Sequence, residues 1–222
     1  MSVTENVQRI RASLPAGVML VAATKMNDAP AVREAIEAGV DACGENRVQE
    51  LLKKNALGAY AGTEKHFIGH LQRNKVKSVV GLCELIQSVD SAELLRLIDN
   101  RAAFLGVRQD VLLEVNIGGE AAKSGAAPEA LPALLDTAAG LEHLRVRGLM
   151  TIPPICTEND GSRRYFSAMY KLFVDIGTKK YDNISMEILS MGMSADYLQA
   201  AAEGANMVRI GAAIFGPRSY TR

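Results

Sequence analysis

Val18-Met-Leu-Val-Ala-Ala-Thr-Lys25 is an almost unbroken apolar run closed by a lysine, and helix punctuation follows it at once. Asp28 is placed to cap a helix, Pro30 stands in its first turn, Val32, Ala35 and Ile36 fall on one face, and Gly39 ends it. A short segment that is apolar throughout suits a strand buried on both faces of a parallel sheet. Followed by an amphipathic helix, it makes one βα unit.

The same alternation recurs along the chain. It predicts eight strands, at Met19 to Thr24, Asp41 to Gly44, His66 to Gly69, Leu85 to Val89, Val111 to Asn116, Val146 to Ile152, Ser185 to Ser190 and Met207 to Phe215. Between them, Ser91 starts a helix whose Leu94, Leu95, Leu97, Ile98 and Ala102 make a broad apolar face, and Phe166, Met169, Tyr170 and Phe173 repeat at helical spacing before Gly177; both stripes are expected to face the core. A short helix is expected at about 2–13. Eight βα units predict an α/β chain folded as a single (β/α)8 TIM barrel over residues 1–222, with a doubly wound open sheet as the alternative.

Composition narrows the function classes. With 48% hydrophobic and 23% charged residues over 222 positions, the chain has the make-up of a globular domain with one sizeable core. Lys plus Arg and Asp plus Glu both number 25, so no global field attracts nucleic acid or an anionic membrane. The N-terminal segment lacks the apolar core of a signal peptide and no stretch is long enough to span a bilayer, so the expected location is the cytoplasm. Cys43, Cys83 and Cys156 are far apart and His66, His70 and His143 lack ligand spacing, which argues against disulfides and a metal site.

A barrel places its chemistry at the C-terminal ends of the strands and commonly holds phosphate in the loops after strands seven and eight. Lys25 ends the first predicted strand, Ser190-Met-Gly-Met-Ser194 follows the seventh, and Arg209-Ile-Gly-Ala-Ala-Ile-Phe-Gly216 runs through the eighth. Since strands one and eight adjoin in a closed barrel, these segments share one mouth. An amine among Val21, Ala22 and Ala23 is disposed to react with an aldehyde, because burial disfavours its charged form. Glycine- and serine-rich turns offer N–H groups to a phosphate, with Ser194 the expected cap of the following helix. Arg209 interrupts a buried strand, where a guanidinium needs a partner, and it is suited to meet a ring nitrogen. Together these features point to pyridoxal phosphate.

Gly44-Glu-Asn-Arg-Val-Gln-Glu50 and Gly69-His-Leu-Gln-Arg-Asn-Lys75 follow strands two and three and are expected to put polar side chains at the mouth. Ile117-Gly-Gly-Glu-Ala-Ala-Lys-Ser124 looks like a nucleotide-binding loop, but Ile117 and Ala122 stand where that motif needs glycines, which excludes nucleotide hydrolysis.

With Lys25, Gly44 to Glu50, His66 to Lys75, Lys123-Ser-Gly125, Arg147-Gly-Leu-Met-Thr-Ile-Pro153, Ser190 to Ser194 and Arg209-Ile-Gly211 in order, nearly the whole chain resembles the YggS/PROSC family of pyridoxal phosphate homeostasis proteins. The resemblance implies a fold type III barrel like the N-terminal domain of alanine racemase, holding pyridoxal phosphate as a lysine Schiff base. By position it makes Lys25 the Schiff-base lysine, gives the phosphate to Ser194, Gly211 and the Ala212 amide, and sets Arg209 against the pyridine nitrogen. Asn46, Met191, Gly192 and Met193 complete the cofactor lining; Lys123 matches a family lysine without an assigned role. Members often carry Thr where this chain has Ala212, which removes a hydroxyl contact to phosphate, and many carry Trp where it has Lys65.

An arginine facing the ring nitrogen disfavours its protonation and makes the ring a poorer electron sink. A racemase also needs an acid or base on the opposite face, supplied in the alanine racemase resemblance by a tyrosine and a second domain, for which a chain ending at Arg222 leaves no room. The leading expectation is a carrier that buffers pyridoxal phosphate and hands it to dependent apoenzymes, serving amino-acid balance, as a monomer and with no established catalysis. The alternatives are a weak amino-acid racemase using His70 or Tyr220, and a Schiff-base aldolase in which Lys25 attacks a sugar phosphate directly.

Overall fold

The computed structural model describes residues 1–155 and 161–216; Cys156 and Tyr220 lie outside the described residues. Eight strands close into a parallel barrel in chain order: β1 (Met19–Ala23), β2 (Ala42–Glu45), β3 (Glu64–Phe67), β4 (Leu85–Val89), β5 (Gln109–Glu114), β6 (Leu144–Met150), β7 (Ile184–Ser190) and β8 (Met207–Ile210). The helices are α1 (Val3–Ser13), α2 (Ala29–Glu37), α3 (Val48–Ala56), α4 (Ala92–Leu105), α5 (Leu131–Ala139), α6 (Arg163–Gly177), α7 (Tyr197–Ala202) and α8 (Ala212–Phe215). The open doubly wound alternative is excluded, because β1 pairs with both β2 and β8.

Local signals account for most boundaries. Ser2 and Glu5 form a reciprocal capping box that starts α1, Asp28 Oδ1 accepts from the Ala31 amide at 3.0 Å, and the Ser91 hydroxyl accepts from the Leu94 amide at 3.4 Å. Gly106 ends α4 at φ 66°, a left-handed position that glycine occupies without a Cβ penalty.

Two expectations need correction. The eighth strand stops at Ile210 instead of reaching Phe215, because the chain turns at Gly211 and Ala212–Phe215 coils into a helical turn. Tyr170 is 45% exposed, while Phe166 and Met169 carry the buried face of α6.

The core has two parts. Val21, Ala42, Leu85, Leu112, Met150 and Met207, all from strands, fill the barrel, while a larger cluster lies between strands and helices. Since strand side chains alternate, Arg209 and Glu114 continue the inward faces of Met207 and Leu112 toward the mouth. At the opposite end, Arg147 donates to Asp110 at 2.8 Å and pairs with Glu187, which ties β5, β6 and β7 away from the site.

Candidate functional site at the barrel mouth

Lys25 is half-buried two residues beyond β1, on a tight turn in which the Asn27 amide donates to the Thr24 carbonyl at 3.1 Å. Met26 completes the turn at φ 63°, the only non-glycine described residue in the left-handed region. The β1–β8 register aligns Ala22 with Ile210, so the turn after β8 lies beside the turn that carries Lys25. A Cβ on Gly211 would stand 3.3 Å from the Ala23 carbonyl oxygen, which measures that closeness.

The turns after β7 and β8 meet through Ser194, whose hydroxyl accepts from the Ala213 amide at 3.1 Å. Ser194 is therefore not the cap of the next helix. That position belongs to Asp196, whose carboxylate accepts from the Met193 amide at 2.7 Å and reinforces the turn. Gly192 has φ 95°, and a Cβ there would lie 2.6 Å from Ala200 Cβ. Among the described residues, the amides of Ser194, Ala195, Gly211 and Ala212 donate no hydrogen bond, which leaves four free N–H groups on the two adjoining turns. Asn6 of α1 braces this region by donating to the Ile214 carbonyl at 2.9 Å.

Arg209 is only 4% exposed and has the partners its burial demands: it donates to the Ser190 hydroxyl at 2.6 Å and the Thr151 carbonyl at 2.8 Å. Burial lowers its pKa to about 10, partly opposed by Glu114 and Asp196, so it stays charged at neutral pH. Ser190 in turn donates to Gln87 at 2.7 Å, and Gln87 reaches His66 Nδ1 at 3.0 Å. Glu114 enters the same mouth from β5. Burial, reinforced by Asp90 and opposed by Arg209, pushes its pKa up to about 7.

The structure thus brings Lys25, Ser194, Arg209, Gly211 and Ala212 together where β1, β7 and β8 end. Met193 and Gly192 belong to the same turn, whereas the Met191 side chain is fully buried in the outer core and leaves only its backbone to the turn. Asn46 follows β2 with a buried Oδ1 that has no hydrogen-bond partner, and its backbone lies so close to Gly69 that a Cβ there would stand 2.3 Å from the Asn46 carbonyl oxygen.

Glu45 departs from its expected place at the mouth. It points outward and is completely buried against α3 and Tyr60. His70 stands beside a cavity of about 520 Å³ lined also by Gln72, Asn74, Asp90 and Ser91, with its ring 3.9 Å from Asp90. Lys123 donates to the Pro153 carbonyl at 3.1 Å and pairs with Glu120. Sequence reasoning missed Gln87, Glu114 and Thr151; for Gln87 and Glu114 the available signal was a polar residue on the inward face of an apolar strand, whereas Thr151 contributes a backbone carbonyl, which side-chain pattern does not reveal. No group of three or more metal-ligating side chains occurs among the described residues.

The family model of the alanine racemase N-terminal domain matches residues 2–219 of this closed parallel barrel. The pyridoxal phosphate homeostasis protein of Aquifex aeolicus (strain VF5) is 43% identical over 201 residues, covering 90% of this chain and 87% of its own. PipY of Synechococcus elongatus PCC7942, solved with PLP bound, superposes with a TM-score of 0.90 at 34% identity, covering 97% of this chain and all of PipY. The alanine racemase of Clostridium difficile 630 in complex with cycloserine shares the fold, with a TM-score of 0.79 at 17% identity; the match covers 99% of this chain and 60% of the racemase. The chain belongs to the pyridoxal phosphate homeostasis protein family within this barrel class.

Proposed function

We propose that this protein binds pyridoxal phosphate at the barrel mouth and serves its homeostasis, holding the cofactor reversibly on Lys25. The observation that carries the reading is the proximity of the Lys25 turn to two turns whose Ser194, Ala195, Gly211 and Ala212 amides are free. When bound, the cofactor supplies an aldehyde suited to a lysine amine and a dianionic phosphate suited to backbone donors.

On this reading Lys25 is the covalent anchor, and the Ser194, Gly211 and Ala212 turns receive the phosphate. Arg209 offers a donor to the ring nitrogen, and Asn46, Met191, Gly192 and Met193 complete the lining. The unpartnered Asn46 Oδ1 and the free turn amides are groups that a polar ligand would satisfy. Arg209 is fixed by Ser190 and Thr151 and remains cationic, so it opposes protonation of a ring nitrogen and supports holding over carbanion chemistry. The protein acts in the cytoplasm as a monomer, with dependent apoenzymes as recipients. Among the described residues no helix is long and apolar enough to cross a membrane.

Borohydride reduction in the presence of pyridoxal phosphate, followed by peptide mass mapping, tests the assignment. A phosphopyridoxyl adduct confined to Lys25 and lost in Lys25→Ala is expected. Adducts scattered over surface lysines, or none, would overturn it.

A further inference from the structure

The lysine assigned to the cofactor is bracketed by one helix. Thr24 immediately precedes it, and the Thr24 carbonyl accepts from Lys54 Nζ at 2.6 Å. Met26 immediately follows it, and the Met26 amide donates to Glu50 Oε2 at 2.7 Å. Glu50 and Lys54 stand one helical turn apart on α3, 3.5 Å from each other.

The Lys54 end of this bracket is buried. Its ammonium, on a residue only 6% exposed, lies 2.5 Å from Glu45 Oε1. The same oxygen accepts from the Thr24 hydroxyl at 2.6 Å and the Tyr60 hydroxyl at 3.1 Å. Burial, reinforced by the Glu45 charge, raises the Tyr60 pKa, so Tyr60 remains a donor.

Stability alone is a weak reason for such a cluster, because desolvating two charges offsets much of their attraction. Its geometric effect is specific. It fixes the carbonyl before Lys25 and the amide after it, and so maintains a turn that places Met26 at φ 63°. A non-glycine residue persists in that region when its surroundings over-determine it.

We propose that Lys54 and Glu50, with Glu45 holding Lys54, are positioning residues for the Lys25 amine. They act through the turn that carries it and do not themselves touch the cofactor. The proposal rests on the assignment of Lys25 as covalent anchor. It extends the site beyond the mouth to the outer face of the barrel and the side of α3.

The test separates covalent capture from non-covalent binding. Lys54→Met, Glu50→Ala and Glu50→Gln are compared with wild type for borohydride-trapped adduct on Lys25 and for affinity toward pyridoxine 5'-phosphate, which has the ring and phosphate but no aldehyde. Thermal midpoints are measured in parallel, and Lys25→Ala is carried as a control. Lys54→Met and Glu50→Ala are expected to lower the equilibrium adduct constant tenfold or more while pyridoxine 5'-phosphate affinity changes less than threefold. Glu50→Gln retains an acceptor for the Met26 amide and is expected to restore capture.

Equal losses in both ligands, tracking the loss of stability, would overturn the proposal in favour of a merely structural cluster. Unchanged capture in Glu50→Ala would also overturn it, and that half-buried site keeps the test decisive should Lys54→Met fail to fold. An adduct surviving in Lys25→Ala would instead sink the anchor assignment, so the two failures are distinguishable.

Discussion

The Arg209 guanidinium donates to the Ser190 hydroxyl at 2.6 Å, across the seam where β7 and β8 are joined by the single register pair Ser190 to Met207. A side-chain bond therefore supplements a short ladder where the barrel closes. The same guanidinium reaches the Thr151 carbonyl beyond β6, so one residue links three consecutive chain segments below the mouth.

Arg209→Gln tests that role. Removing the guanidinium leaves the Ser190 hydroxyl and Thr151 carbonyl without their charged donor and is expected to cost about 2–4 kcal/mol. The urea midpoint measures the loss. A change below about 0.5 kcal/mol would show that solvent or neighbouring groups replace the arginine, since surface-like substitutions fall in that range.

Glu114 makes stability depend on pH. Its folded pKa is raised to about 7 by burial first and Asp90 second, against the attraction of Arg209. Between the unfolded value of about 4.3 and the folded value, the native state binds more protons than the unfolded state, so stability falls as pH rises through this window. The contribution is fully present below the unfolded value and lost above the folded one, amounting to about 3–4 kcal/mol. Glu114→Gln is expected to remove that slope and to gain stability over wild type at pH 8 relative to pH 5. Urea titrations at both pH values check the difference; parallel wild-type and variant profiles would count against it.

Much of the fold was legible because most strands are compact apolar runs and α2 and α4 carry their own caps. Asp28 and Ser91 cap as their neighbours indicate. The end of β8 was not legible, because Ala212-Ala-Ile-Phe215 is equally apolar as strand or helix and only the turn at Gly211 decides. That Lys25, Ser194 and Arg209 lie near one end of the barrel was legible because closure sets β1 beside β8 and brings the ends of distant strands together. Lys54 was not: four residues after Glu50 on an amphipathic helix, it reads as half of an exposed pair, and its burial depends on the long-range contact with Glu45 and Thr24.

Gly192→Ala addresses the turn after β7. The added methyl would have to adopt φ 95° and would stand 2.6 Å from Ala200 Cβ and 3.0 Å from Tyr197 Cα, so α7 must move. A destabilisation of about 1–3 kcal/mol is expected from strain of this kind. On the proposed cofactor reading, pyridoxine 5'-phosphate affinity falls by at least tenfold as the Ser194 turn shifts. Isothermal titration reads the affinity and thermal melting the stability; wild-type values in both would show that the turn absorbs the methyl without displacement.

Ala212→Thr probes whether a hydroxyl at the start of α8 reaches a bound phosphate. Ala212 opens α8, is exposed, and has an amide with no hydrogen-bond acceptor among the described residues. Neighbouring Ser194 already spends its acceptor on the Ala213 amide, so a hydroxyl at position 212 adds a donor without displacing an existing bond. A hydrogen bond to a charged group contributes about 1.5–3 kcal/mol, reduced here by exposure, so phosphate-bearing ligand affinity is expected to rise about three- to tenfold. Pyridoxine, which lacks the phosphate, should bind the variant and wild type alike. Tightening of both ligands would place the new hydroxyl on the ring and not the phosphate, and tightening of neither would remove position 212 from the cradle.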